Sequence, residues 1–170
     1  MMDRLVNLNV WIVFFALLIP IVAGSICADQ LMKSLWYINY YVVFYGYHLF
    51  TFEICAEKNE PGNKVAFYFS TLFLLIFFGS LSIVLQPGTE VTITGTPGYL
   101  LAMIFAGSFS YNLYRVSGAQ IAYTLGNKHR DTWNYFYHVI CFMVLPLGIW
   151  ILYPRLQEEY KRERLRNYQE

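Results

Sequence analysis

The chain has 170 residues, of which 57% are hydrophobic and 14% charged, with twelve Lys and Arg against eleven Asp and Glu. About 25% charged residues is ordinary for a water-exposed domain, so these proportions exclude a disordered chain. The near-neutral balance supplies no steering field for nucleic acid, and none is expected as a partner.

Long apolar runs dominate what remains. They predict an all-α integral membrane protein, a bundle of about five transmembrane helices closed by a short charged C-terminal helix. The first run covers 9–28. Ile26 beside Cys27 breaks a lipobox-like pattern, so the run reads as a retained helix bent at Pro20.

The second run, 34–54, carries Asn39, His48, Glu53 and a series of tyrosines. Such groups suit lipid poorly on every side, so this helix is expected to face protein. A charged connector with Pro61–Gly62 follows. The third run, 65–85, is uncharged and interrupted only by Gly79.

The connector 86–98 contains no Lys or Arg, which leans it outward and places the amino terminus on the cytoplasmic side. The fourth run, 99–119, spaces Ala102, Ala106 and Ser110 at i, i+4 and i+8, a face suited to close helix packing. The fifth, 133–153, has aromatic residues at both ends and Pro146 as an expected kink. Pro154 marks the predicted exit, which makes 1–154 a membrane domain and 155–170 an extramembrane tail of alternating Glu and Arg.

Depth arithmetic nominates a site. His48 lies six residues from Ile54, about 9 Å along a helix, and His138 lies five residues from Trp133, about 7.5 Å. Matching depth on two helices is what axial ligation of a b-type haem iron requires, with Gly46 admitting the macrocycle. Arg115, about 6 Å from the same face, is the expected propionate partner. A quinone is the other ligand considered for these three residues. Arg115 also needs a counter-charge, and Glu53 is the nominated ion-pair partner.

Cys27, Cys55 and Cys141 lack metal-ligand spacing and are expected to be unbonded apolar filler. No HExxH, GxSxG or phosphate-loop motif occurs, so no catalytic residue is nominated and catalysis by the chain alone is not expected. The expected function is an accessory subunit packed against other membrane subunits and lipids in a larger complex. The alternatives are a haem- or quinone-binding electron-transfer subunit, and a small-molecule carrier or channel component.

Overall fold

A computed structural model describes residues 6–59, 64–84, 95–126 and 131–167. Among them are six α-helices: α1 (Val10–Ile26), α2 (Gln30–Asn59), α3 (Lys64–Val84), α4 (Gly95–Thr124), α5 (Thr132–Met143) and α6 (Leu145–Asn167). The described residues form an all-α bundle of these six helices.

Three helices start on side-chain caps. Asn9 accepts from the Trp11 amide at 3.0 Å, Asp29 from the Met32 amide at 2.8 Å, and Asp131 from the Asn134 amide at 2.8 Å. Each short carboxyl or carboxamide satisfies one amide that the first turn leaves without a partner.

The core lies toward one end of the bundle. The second half of α4 is buried on all sides from Val116 to Ala122. Phe44, Tyr47, Phe52 and Cys55 of α2 pack around it with Phe142, Leu145, Ile149 and Leu152 from α5 and α6. The first half of α4 leaves Tyr99, Leu101, Met103 and Ile104 exposed.

The chain breaks sharply between α5 and α6. Val144 has φ −104° and ψ 49°, outside the helical region, and its amide still reaches the Ile140 carbonyl at 2.9 Å. Pro146 then takes the second position of α6, where its missing N–H leaves no bond unmade. Gly148 backs directly onto the Cys141 carbonyl.

Beyond the break, α6 continues through Pro154 to Asn167. Gln120 donates across to the Leu152 carbonyl at 3.0 Å, and Tyr123 donates to Glu163 at 2.8 Å, fixing α6 on α4. The segment before α1 is held from the other side. The Gln157 amide donates to the carbonyls of Val6 and Leu8 at 2.6 and 2.9 Å, and the Tyr153 hydroxyl to Val6 at 3.3 Å.

This architecture corrects the expected bundle of five transmembrane helices. Of the described helices only α3 is long and apolar enough to cross a membrane. Helix α1 has 17 residues, and α5 has 12 and stops at Val144, so 133–153 is not one helix. Helices α2 and α4 have the length, but polar groups interrupt their apolar runs: His48 and Thr51 in one, Asn112, Ser117 and Gln120 in the other. Those groups are buried inside the protein itself.

The readings built on five spans fall with it. They are the multi-pass location with a cytoplasmic amino terminus, the accessory subunit of a membrane complex, the electron-transfer membrane subunit, and the carrier or channel component.

Candidate functional site

A chain of buried side chains ties α2, α4 and α3 together. His48 Nδ1 lies 2.8 Å from Asn112 Oδ1, and Asn112 Nδ2 donates to Thr71 Oγ1 at 2.6 Å. Thr71 in turn donates to the Phe67 carbonyl at 2.8 Å. The direction of each bond follows from the last one. The Thr71 proton is used on the carbonyl, so its oxygen accepts from the Asn112 amide. The Asn112 oxygen therefore faces His48, and Nδ1 of that imidazole carries the proton.

His48 Nε2 is left as a bare lone pair, buried and without a partner among the described residues. The rings of Phe44, Phe142 and Tyr45 enclose the imidazole at centroid distances of 4.5, 5.1 and 5.7 Å. His138 on α5 has the same arrangement. Its Nδ1 donates to the Asn134 carbonyl at 2.8 Å, and its Nε2 is buried and unpartnered. His138 lies one turn before Phe142, the ring that touches His48.

Burial pushes the His48 pKa down to about 4 from its ordinary 6.5, against the opposing pull of the Asn112 bond. The folded state therefore holds this imidazole neutral where the unfolded chain would protonate it. Its contribution to stability is complete above pH 6.5 and is lost as pH falls toward 4, up to about 3 kcal/mol. Urea unfolding at pH 7 and at pH 4.5 should show this loss, and His48→Gln should shrink the difference between the two midpoints.

The other nominated residues are placed as follows. Gly46 is exposed while His48 is fully buried, so the glycine opens no space beside the imidazole. The Arg115 guanidinium lies 5.7 Å from the centre of the Phe52 ring. The Glu53 carboxylate is 3.8 Å from Lys64 Nζ, across the connector between α2 and α3. Ala106 and Ser110 lie on an outward face of α4, with Ala102 half-buried beside them. Cys27, Cys55 and Cys141 are free thiols. Among the described residues no group of three or more His, Cys, Asp or Glu could hold a metal ion.

A second feature has no counterpart in the sequence reading. A cavity of about 240 Å³ lies between α1, α2 and α6. Ile12 and Ala16 line it from α1, Val43, Gly46 and Phe50 from α2, and Tyr153 from α6. The α2 residues fall at i, i+3 and i+7, one stripe of a helix. Leu8, Val13 and Tyr47 complete the wall. Nearly all of its surface is carbon, and the Tyr153 hydroxyl is engaged with the Val6 carbonyl. A Cβ added at Gly46 would meet nothing within 4 Å.

The polar chain and the cavity differ in what they can do. Both imidazoles are fully buried, that of His48 within a set of aromatic rings, and neither has an open face for a reactant. The cavity is partly open and its lining is almost wholly carbon, so it favours apolar matter. No family model, curated protein or solved structure matches this chain.

Proposed function

We propose that the protein binds a slender hydrocarbon chain, the acyl or isoprenoid tail of an amphiphile, in the cavity between α1, α2 and α6. The observation that carries this reading is the almost wholly apolar lining. A polar ligand would lose its water there without any replacement bond, at a cost of about 1–3 kcal/mol for each such group. An ordered water needs two or more polar partners, and this wall exposes almost no polar surface to provide them.

Size narrows the class. The cavity falls just below the roughly 300–1,000 Å³ that drug-sized ligands occupy. At about 30 Å³ for a water-sized group, it takes on the order of eight methylenes. A polar headgroup would remain outside, at the opening.

Trp11 precedes Ile12, and Trp150 lies one turn before Tyr153, so two indoles flank the cavity. Their rings touch at a centroid distance of 4.2 Å. A medium-chain fatty acid brominated near its methyl end should therefore quench tryptophan emission saturably. Gly46→Phe places a ring in the open space, and glycine is the poorest ordinary helix former, so the fold should survive. Apparent affinity is expected to fall by at least about tenfold in this variant, or about 1.4 kcal/mol. Quenching identical to that of the native chain would refute the reading.

A further inference from the structure

The hydroxyl groups on the helices divide into two kinds. Ser25, Ser34, Thr71, Ser82 and Thr124 each donate to the carbonyl one turn back, at distances between 2.8 and 3.0 Å. That is how a Ser or Thr inside a helix ordinarily uses its proton. Thr51 on α2 and Ser117 on α4 do not, although both are fully buried. The Tyr47 hydroxyl and Gln120 Oε1 are likewise buried and without a partner among the described residues. In native interiors nearly every such group has a partner, either protein or ordered water.

These groups lie in one layer of the bundle. Tyr47 and Thr51 are one turn apart on a single stripe of α2. Their oxygens approach each other, yet not in a geometry that closes a hydrogen bond. Helices α2 and α4 run side by side in the same direction, with His48 against Asn112 and Cys55 near Tyr123. Thr51 falls between these two pairings on α2, and Ser117 and Gln120 fall between them on α4. Helix α6 closes the third side. Gln120 Nε2 is bound to the Leu152 carbonyl at 3.0 Å, and the neighbouring Tyr153 ring lies 6.4 Å from that of Tyr47. The Gln120 carboxamide is thus fixed through its nitrogen, and its oxygen retains its lone pairs.

The chemistry of the set identifies its ligand. Tyr47 and Thr51 each carry a proton and lone pairs, whereas Gln120 Oε1 only accepts. A ligand that serves all three must donate and accept at once. A metal cation accepts no proton, and no Asp or Glu is buried among the described residues to balance its charge. Water does both, and about three bonds is its usual number in a protein interior. We infer that an ordered water is bound among Tyr47 Oη, Thr51 Oγ1 and Gln120 Oε1, joining α2 to α4. It lies behind the Tyr47 ring, and the inference is independent of what the cavity holds.

Oxygen-17 relaxation dispersion of the full chain in solution counts waters held longer than the protein takes to tumble, and hydroxyl protons do not contribute to it. Tyr47→Phe/Thr51→Val removes both hydroxyls and keeps both shapes. The variant is expected to lose one water from the dispersion amplitude. Its thermal midpoint should also fall, because Gln120 Oε1 is then left without a donor. Thr124→Val is the control, since that hydroxyl is bound to the Gln120 carbonyl, and it should leave the amplitude unchanged. Were the two hydroxyls truly without a partner, the double variant would instead melt higher at constant amplitude. An unchanged amplitude in the double variant overturns the inference, and so does an equal loss in Thr124→Val. A crystal structure of the native chain is the second test. A water oxygen is expected within about 3.2 Å of both Thr51 Oγ1 and Gln120 Oε1. Direct contact between those two atoms would overturn the inference, whatever the variants do.

Discussion

Replacing Asn112 with Ala is expected to lower the unfolding free energy by about 4 kcal/mol, seen as a fall in the denaturant midpoint without a change in slope. The carboxamide is the only bridge between His48 and Thr71 in the hydrogen-bonded chain across α2, α4 and α3. Its removal leaves the His48 N–H without an acceptor in a fully buried position, and takes the amide donor from Thr71. A buried group left unpaired costs about 1–3 kcal/mol, and the vacated volume adds to it. The companion experiment separates bond loss from cavity. His48→Leu/Thr71→Val/Asn112→Leu removes all three polar groups together and should recover much of the loss, because no orphan remains. A cost below about 1 kcal/mol for Asn112→Ala would mean that the chain does not anchor α4.

Gly148→Ala should be comparably severe, roughly 4 kcal/mol, at the upper end for overpacking. The added Cβ falls on the Cys141 carbonyl and close to its Cα, both main-chain atoms that cannot rotate away. Relief requires the break at Val144 to reopen, and that would move Leu145, Ile149 and Leu152 out of the core. Gly107→Ala is the control. It is an exposed helical glycine with nothing within 4 Å of the new Cβ, so gain of helix propensity should stabilise by up to about 1 kcal/mol. Paired thermal unfolding of the two variants tests whether contact or glycine content governs the effect.

The sequence was most legible where a helix is governed by its own composition. Helix α3 occupies 64–84, within a residue of the uncharged run at 65–85, because charged or Pro–Gly segments flank it. It was less legible where tertiary contact decides. Helix α2 extends to 30–59, beyond the apolar stretch 34–54, since Asp29 supplies a cap that apolarity does not register. Pro146 was read as a kink within one helix. The closure of Gly148 on Cys141, which makes it a full break, has no signature in local sequence.

The count of five spans failed for a related reason. Apolar content was read as contact with lipid, whereas Leu113, Val116 and Ile121 bury against the protein's own helices. The site residues show the same limit. His48 was singled out, but its partner Asn112 lies 64 residues away. His138 was singled out too, and the acceptor for its Nδ1 is a main-chain carbonyl, that of Asn134 one turn back, which no side-chain pattern reveals. The cavity was invisible because three helices, distant in sequence, each contribute part of its wall.

The grip of Gln157 and Tyr153 on Val6 and Leu8 bears on the order of folding. These bonds join residues 147 to 151 positions apart. Closing a loop of that size costs about 4 kcal/mol of chain entropy before any contact rewards it. Neighbouring helices such as α1 with α2, or α2 with α3, close far shorter loops and can form first. The grip is then the last contact made and the first released. Amide hydrogens at 8–13 should exchange through a local opening well below the global unfolding free energy, while those of Val116 to Ala122 exchange only through full unfolding. Because Leu8 and Tyr153 also wall the cavity, that slowest-forming contact is the one whose opening would set how fast a chain enters and leaves.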